Sequence, residues 1–263
     1  MPDALGMARA WLARARNPDG TWGYLPGRKA RPEPTLLSAI AGMEAPLSWL
    51  STADLGWARR LVPLALADRP DALRLVRQAV LALEKDQALA VEGPLTFDTA
   101  IPAWGWVEGT AAWVEPTATA VLSLRRAGRG GSPRVVDGIR MLLNRQDRDG
   151  GWNHGNPTML GQDLESFPET TAWALMAIQA WPGAEVPVER GFTWLSRQLD
   201  LPTTLGMALF ALALDAHGRD PEDALTALVR RQDPNGSWLG RVDLTALAAA
   251  ALMTLEGSHA FRV

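Results

Sequence analysis

The chain has 263 residues, a net charge of -3 and 47% hydrophobic residues, which is enough to bury a large core and provides no basic patch for nucleic acid. It contains no cysteine, which excludes disulfide bonds and thiolate metal sites. The start MPDALGMARAWLARAR lacks the apolar segment of a signal peptide, and no apolar run approaches the ~18 residues of a membrane span. We therefore expect a soluble, cytoplasmic protein.

Helices are predicted along the whole chain from apolar residues that recur at helical spacing, and no strand pattern stands out. In chain order they cover residues 3–16, 35–43, 53–67, 71–90, 116–126, 133–145, 168–181, 188–199, 203–216, 221–231 and 244–256. Pro63 predicts a kink or a boundary inside the third segment, because proline removes a backbone donor. The least helical stretch is 91–112, where Trp104 and Trp106 predict a short extended segment or a tryptophan-lined loop.

A turn that ends in tryptophan recurs after several of these helices. Its fullest form is QDRDGGW at 146–152, where aspartate and two glycines turn the chain and the tryptophan pins it. The pattern returns as RQDPNGSW at 231–238 and more loosely as RNPDGTW at 16–22. The three tryptophans are separated by 130 and 86 residues, close to three units and two units of 43. A fixed period of roughly 20–50 residues predicts a repeat architecture.

An acid, any residue and then threonine stand at the start of alternate predicted helices. The pairs are Glu33 and Thr35, Glu115 and Thr117, Glu169 and Thr171, and Asp243 and Thr245. Small residues follow each threonine at three and six positions, so they share one helix face and let neighbouring helices approach closely. They are Ser38 and Ala41, Ala120 and Ser123, Ala174 and Ala177, and Ala248 and Ala251.

These two helix types alternate along the chain, and the alternation indicates the fold. Helices with the small-residue face form an inner ring, and helices that end in the tryptophan turn form an outer ring. We predict an all-α protein with the α/α toroid fold, in one domain over residues 1–263. The sequence leaves open whether the ring closes.

The tryptophan turn resembles the QW repeat of squalene-hopene cyclases and related class II terpene cyclases. Residues 146–152 and 232–238 match this repeat in full, and 16–22 and 191–198 match it in part. The run GWVEGTAAWVEPTATAVLSL at 105–124 is similar to the prenyltransferase and squalene-oxidase repeat. The resemblance implies an α/α barrel whose inner helices line a cavity for an apolar isoprenoid. It also implies a structural role for the glutamines and tryptophans of the repeat.

The same resemblance bears on the acids at the inner-helix starts. Class II cyclases protonate an alkene with the central acid of an Asp-x-Asp-Asp-Thr-Ala motif, and Glu115, Glu169 and Asp243 stand in its place. The resemblance therefore implies that these three are the catalytic residues. The flanking acids are missing, since Trp113 and Pro116 occupy those positions around Glu115. A lone carboxyl at a helix N-terminus favours the anion, so the residues by themselves indicate a capping role.

Aromatic residues near these acids are the candidate substrate-binding residues. They are Trp104, Trp106, Trp113, Phe167 and Trp173. Aromatic faces stabilise cations, so such a set is suited to an apolar pocket for a ring-shaped or cationic ligand. The competing interpretation is that the tryptophans plug the end of a small barrel as part of its core.

No metal and no cofactor are predicted. The resemblance extends to protein prenyltransferases. Their zinc site needs a cysteine, and this chain has none. A site built from His154 with Asp163 or Glu165 would lie in a connection long enough to be functional, at 153–167, but it shows no ligand spacing. The glycine-rich stretch 128–131 has no strand before it and is interpreted as a linker, not a phosphate loop.

Three functions remain in competition. The first is binding or conversion of an apolar isoprenoid, which predicts a deep apolar cavity faced by Glu115 or Glu169. The second is a non-catalytic scaffold for a peptide or protein partner, which predicts a filled core and an exposed aromatic patch. The third is a carbohydrate-active toroid, which predicts a cleft with two facing carboxylates. Its candidate residues are Asp98, Glu108, Asp163 and Glu165.

Overall fold

The computed structural model describes residues 3–93, 95, 97–198 and 203–263. The α-helices in these ranges are α1 (Ala4–Ala15), α2 (Pro32–Ile40), α3 (Leu47–Leu50), α4 (Val62–Leu66), α5 (Leu73–Lys85), α6 (Val114–Arg126), α7 (Pro133–Asn144), α8 (Pro168–Ile178), α9 (Glu185–Ser196), α10 (Thr204–Ala216), α11 (Glu222–Val229) and α12 (Val242–Met253). Short 3-10 helices cover Gly56–Leu61, Pro70–Ala72 and Thr254–Glu256. A small antiparallel hairpin pairs β1 (Thr158–Met159) with β2 (Gln162–Asp163). Positions 94, 96 and 199, which belong to predicted elements, lie outside the described residues.

Within the described ranges, six helical segments form a closed inner ring. They are α2, the 3-10 and α4 run at 56–66, α6, α8, α10 and α12. Each segment contacts the next one in this order, and α12 contacts α2. The predicted all-α toroid is therefore confirmed, and the contact between α2 and α12 closes the ring. None of the described helices combines the length and apolarity that crossing a bilayer requires.

The remaining helices lie outside the ring. α1 packs on α12, α5 on α4 and α6, α7 on α6 and α8, α9 on α8, and α11 on α10 and α12. The short α3 follows α2 in the chain with a single turn. Pro63 marks a boundary, as predicted, because it lies in the first turn of α4 directly after a 3-10 segment. Proline is tolerated there, since its missing N–H is not needed in a first turn.

Four buried tryptophans in the described part of the chain tie outer helices to the turns that follow them. In each case the indole Nε1–H donates to a backbone carbonyl oxygen of the outer helix. The pairs are Trp22 with Leu12 (2.9 Å), Trp104 with Leu83 (2.9 Å), Trp152 with Leu142 (2.7 Å) and Trp238 with Leu228 (2.9 Å). We call these the corner tryptophans. A buried indole needs such a partner, because an unpaired donor away from water costs about 1–3 kcal/mol.

The threonine of each acid-x-Thr start completes the corner. The backbone N–H of the corner tryptophan donates to the threonine Oγ1. The pairs are Trp22 with Thr35 (3.0 Å), Trp104 with Thr117 (3.2 Å), Trp152 with Thr171 (2.8 Å) and Trp238 with Thr245 (3.0 Å). The two sequence motifs therefore meet in one bracket that joins an outer helix to an inner helix.

The glutamine of the full turn extends the corner to the next outer helix. The Nε2 of Gln146 donates to its own turn and to the Pro187 carbonyl oxygen in α9, both at 2.8 Å. Gln232 likewise bonds its own turn and the Ala4 carbonyl oxygen in α1 at 2.8 Å, which joins the last corner to the first helix. In the first corner Arg16 replaces the glutamine and donates to its own turn and to the chain ahead of α3.

Candidate functional site

The first turns of the inner helices lie at one end of the ring, which we call the mouth. Acids occupy this turn in α2, α6, α8 and α12. Each acid is two residues before a corner threonine, so it projects from a different face of the helix. The charge of Glu33 affects the ionisation of Glu115 even though residues 56–66 separate α2 from α6 in the ring. These acids therefore face the lumen.

Glu115 is the least compensated acid at the mouth. Its carboxyl has no hydrogen bond and no ion pair among the described residues. Burial, followed by the negative charges of Glu33 and Glu169, raises the pKa of Glu115 to about 7, and the charge of Arg60 opposes the rise. Desolvation and like charges both destabilise the anion. Near neutral pH both the protonated and the charged form of the carboxyl are therefore populated.

Glu33 belongs to α2, which the segment at 56–66 separates from the α6 helix of Glu115. It accepts a hydrogen bond from the Tyr24 hydroxyl. Burial raises the pKa of Glu33 and the charge of Asp243 adds to the rise, whereas the Tyr24 bond and the charge of Arg241 lower it. Burial also raises the pKa of Tyr24, so the phenol remains a donor at neutral pH. Glu33 is thus partly compensated.

Glu169 and Asp243 are held by neighbouring side chains. The Thr203 hydroxyl, at the N-cap of α10, donates to the Glu169 carboxylate. The guanidinium of Arg241 pairs with Asp243, and its Nε donates to Oδ1 at 3.0 Å. Both carboxyls are therefore bound by other side chains. The starts of α8 and α12 show no side-chain cap hydrogen bond, so the capping interpretation stays a prediction. This leaves Glu115 as the acid whose polar atoms are not used by the described protein.

Apolar side chains fill the lumen beneath the acids. Residues four and seven positions after each acid share its helix face. They are Leu37 and Ile40, Thr119 and Leu122, Trp173 and Met176, and Leu247 and Ala250. Each of these is at most 6% exposed. These positions are mainly apolar, but they are packed below the mouth, so the described residues do not show the deep open cavity that the isoprenoid hypothesis predicts.

The C-terminal segment covers the opposite end of the lumen. Phe261 is buried, and its ring meets Trp173 edge-on with 5.8 Å between ring centroids. Gln179, which ends α8, donates to the Phe261 carbonyl oxygen at 2.9 Å. Arg262 donates to the Asp215 carboxylate at 3.0 Å. Trp173, predicted to bind substrate, therefore lies beneath the acids with its ring packed on a buried aromatic side chain.

The other predicted aromatic residues occupy different environments. Trp104 is a corner tryptophan with 0% exposure and a satisfied indole N–H. These contacts are those of a core residue, and its predicted role in substrate binding stays a prediction. Trp106 is 38% exposed and meets Trp57 edge-on at 5.7 Å. Phe167 is 41% exposed and stacks on His154 at 4.9 Å.

Trp113 and Trp106 each border a pocket near the mouth. Trp113 lines an apolar pocket of about 200 Å³. Its backbone N–H donates to the Trp104 carbonyl oxygen at 3.0 Å, which fixes it directly ahead of α6. Trp106 lines a pocket of about 220 Å³ together with Arg60 and Asp86. None of the four first-turn acids lines either pocket.

The carboxyls considered for carbohydrate chemistry have other surroundings. Asp98 pairs with Arg140 at 3.4 Å, and Asp163 pairs with Arg148 at 3.2 Å. Glu108 borders the second of the two pockets. Over the residues that the structure describes, no three histidine, aspartate or glutamate side chains come together as metal ligands.

Sequence reasoning missed the groups that surround the mouth acids. Tyr24, Arg60 and Arg241 all act on the ionisation or bonding of those acids. Glu33 has the same acid-x-Thr start as the three candidates, and this shared pattern is the signal that identifies it. No local motif marks Tyr24 or Arg60, because they reach the mouth from other segments of the chain.

No protein-family profile matches the sequence. No curated protein matches it. Among solved structures, the chain is similar to the type II terpene cyclase MstE from Scytonema in its apo form, with 13% identity, a TM-score of 0.46, and coverage of 98% of this chain and 99% of that chain. It is similar to an MstE variant in complex with geranylgeranyl dihydroxybenzoate, the substrate, with 14% identity, a TM-score of 0.47, and coverage of 98% and 97%. A protein from Actinoplanes is similar with 18% identity, a TM-score of 0.40, and coverage of 97% and 99%.

Proposed function

We propose that the protein is a terpene cyclase-like toroid that binds the oxygen-bearing end of an apolar isoprenoid at the mouth. In this proposal Glu115 is the hydrogen-bond donor to the ligand and the general acid for any conversion. The observation that supports it most directly is the lumen-facing carboxyl of Glu115, which has no partner in the described residues and a pKa raised to about 7. The repeats in the sequence support the placement in the superfamily.

The chemistry of Glu115 favours oxygen over carbon as its target. Protonating an isolated alkene requires a very strong acid, and burial among like charges makes a carboxyl a weaker acid. A carboxyl with a pKa near the working pH is instead suited to donate a hydrogen bond or a proton to an oxygen atom. Glu115 is therefore better suited to hold an alcohol or carbonyl end than to start an alkene cyclisation.

The lining beneath the acids supports an apolar ligand. Leu37, Trp173 and Leu247 form part of the first apolar layer of the lumen, which makes the floor of the mouth apolar. Because this layer is packed, the ligand's chain lies at the mouth and does not thread through the ring.

A second candidate function is a scaffold for a protein partner. It is favoured by the filled lumen together with the exposed aromatic rings of Trp106 and Phe167 on the loops at the mouth end. Exposed aromatic side chains are enriched in protein interfaces. This alternative requires no role for the Glu115 carboxyl in ligand binding, which separates it from the isoprenoid proposal.

Titration with geranylgeraniol and with the matching hydrocarbon that lacks the hydroxyl tests the proposal. We expect saturable binding of the alcohol by ligand-observed NMR, and binding weaker by about tenfold or more in Glu115→Ala, since a hydrogen bond to a charged or acidic group is lost. Glu189→Ala, which removes an exposed carboxyl paired with Arg219 on the outer surface, is the control.

Incubation with labelled squalene and labelled geranylgeranyl diphosphate tests the chemistry. We expect no cyclised hydrocarbon from either, because Glu115 is too weak an acid for an isolated alkene. Equal binding of the alcohol and the hydrocarbon, or unchanged binding in Glu115→Ala, would overturn the isoprenoid proposal and leave the scaffold function.

A further inference from the structure

The apolar pocket beside Trp113 lies apart from the lumen acids and has its own chemistry. Leu89, Phe97 and Trp113 provide apolar walls around a volume of about 200 Å³. Polar groups border it at Arg145, which directly follows α7, and at Asn156. An apolar pocket with a few convergent polar groups is the usual form of a small-molecule site.

Arg145 is a buried cation without a carboxylate partner. Arg145 is 3% exposed, and its guanidinium lies 3.9 Å from the Phe97 ring centroid. One terminal nitrogen donates to the Asp98 carbonyl oxygen at 3.1 Å, and the other donates to the Gly155 carbonyl oxygen. The Nε has no hydrogen-bond partner, and no ion pair involves Arg145 among the described residues.

Arg60, a second buried arginine, has a carboxylate partner and so provides a comparison for Arg145. Arg60 is also 3% exposed, but the Asp86 carboxylate lies 3.6 Å from its guanidinium. The carboxylate whose charge acts on Arg145 is that of Asp98. Asp98 forms its ion pair with Arg140 instead, at 3.4 Å. Burying a charge is costly unless it is paired. The Arg145 pocket therefore has an apolar interior and a positive charge that the described protein leaves unmatched.

Asn156 adds a second polar group at the same place. Its backbone N–H donates to Asn153 at 3.0 Å, whereas its side-chain amide has no partner among the described residues. Thr99 also borders the pocket and donates its hydroxyl to the Val91 carbonyl oxygen at 2.8 Å. A ligand here meets one cation and one free amide, and apolar walls on the remaining sides.

We propose that this pocket binds a short apolar carboxylate, with the carboxylate at Arg145 and Asn156 and the apolar chain against Leu89 and Trp113. The ligand supplies the negative charge that Arg145 lacks, and a charge-assisted bond to a buried guanidinium is among the stronger polar contacts. A phosphate or diphosphate would demand more donors than one arginine and one amide. The volume is below the roughly 300–1,000 Å³ of drug-sized sites, which limits the ligand to a short chain.

Isothermal titration with octanoate tests this site. We expect saturable binding to the wild-type protein, and no saturable binding of octanol, which has the same chain without the charge. Arg145→Gln should weaken octanoate binding by about tenfold or more, because a charge-assisted bond is lost. Arg125→Gln is the matched control, since Arg125 is a partly buried arginine that donates to the Ala177 carbonyl oxygen at 2.8 Å and does not border this pocket.

A second variant guards against a purely structural effect of Arg145, which also joins two loops. Ala111→Leu fills the pocket from its wall and keeps the arginine, and we expect it to abolish octanoate binding while the thermal unfolding midpoint stays close to that of the wild type. Glu115→Gln should leave octanoate binding unchanged, so this site and the lumen proposal can fail separately. Equal binding of octanol, no binding of octanoate, or unchanged binding in Ala111→Leu would overturn the proposal.

Discussion

The first turn of the inner helices has two faces, and the contacts repeat from unit to unit on the outward face but differ on the lumen face. On the outward face, Thr35, Thr117, Thr171 and Thr245 each accept the backbone N–H of a corner tryptophan in the same geometry. On the lumen face, the acid two residues earlier has a different environment in every unit. Tyr24 bonds Glu33, Thr203 bonds Glu169, Arg241 bonds Asp243, and Glu115 has no partner among the described residues.

This difference separates the fold from the candidate function. The outward face is repeated because every unit must join an outer helix to an inner helix in the same way. The lumen face is free of that requirement, so its polar groups vary from unit to unit. The Trp104 corner shows the point most clearly, since it lacks the glutamine turn and still makes the same bonds to Leu83 and Thr117.

Removing a corner tryptophan should have the largest effect. Trp104→Ala and Trp152→Ala should each lower the free energy of unfolding by about 3–5 kcal/mol, because a large buried ring is replaced by a cavity. Urea denaturation measures this, with the half-exposed Trp106→Ala as the control. A much smaller loss for Trp104→Ala than for Trp152→Ala would show that the two corners are not equivalent.

Replacing a corner threonine should have the next largest effect. Thr117→Val and Thr171→Val keep the shape but leave the tryptophan N–H buried without an acceptor, which costs about 1–3 kcal/mol. Chemical denaturation should show this loss for both variants and little change for the exposed Thr193→Val. Equal stability of Thr117→Val and the wild type would contradict a structural role for the hydrogen bond between the corner tryptophan and the threonine.

One carboxyl within a corner should make stability depend on pH. Burial raises the pKa of Asp147 to about 6, although a bond from Ser166 opposes the rise. Because the folded pKa is above the unfolded value, Asp147 favours folding at low pH, and this stability is lost as pH rises through about 4 to 6. Asp147→Asn should therefore be more stable than the wild type by about 1–2 kcal/mol at about pH 8, and equal to it near pH 4.

Denaturation at both pH values measures the Asp147 effect. Asp68→Asn, which removes an exposed carboxyl paired with Arg126 at a distance from this corner, is the control. A variant that loses stability at about pH 8 would show that the charged form of Asp147 is needed in the corner.

Neutralising the unpaired lumen acid should have the smallest effect on stability. The pKa of Glu115 is raised to about 7, so its contribution is favourable at low pH and is lost as pH rises through about 4.5 to 7. Glu115→Gln should gain about 1 kcal/mol at about pH 8 and nothing near pH 4, with part of the shift lost to solvent screening.

Glu169→Gln provides the contrast for Glu115→Gln. Its carboxylate accepts a bond from Thr203, so losing the charge should weaken a contact. The same change removes one of the charges that raise the pKa of Glu115, so any gain at about pH 8 should be smaller than that of Glu115→Gln. The same gain in both variants would show that the lumen acids do not differ in the way the contacts indicate.

Local sequence patterns predicted the part of the structure that depends on chain neighbours. Helical spacing identified the longer helices but not the short α3, the Gly–Trp turns identified two corners in full and one in part, and Pro63 marked a boundary. The patterns missed the corner of Trp104, since 21 residues separate it from its helix partner Leu83. They also grouped Trp104 with ligand-binding residues, because the sequence does not show whether an aromatic ring is buried.

The candidate site was predicted only in outline. The acid-x-Thr pattern found the lumen acids and implied nothing about which of them would lack a partner. That depended on Tyr24, Thr203 and Arg241, which belong to other segments. The resemblance to class II cyclases pointed to Glu115 but did not supply its environment.

The sequence by itself determined an all-α ring of inner and outer helices, because periodicity and turn chemistry act over a few neighbouring residues. The tertiary structure decided that the ring closes and that the lumen is filled. Over the part of the chain that the structure describes, it also left the Glu115 carboxyl without a hydrogen bond or ion pair and Arg145 without a carboxylate in an ion pair. Each of these depends on side chains brought together from distant parts of the chain. Burial and charge at a point in space are sums over such neighbours, and a linear sequence does not specify them.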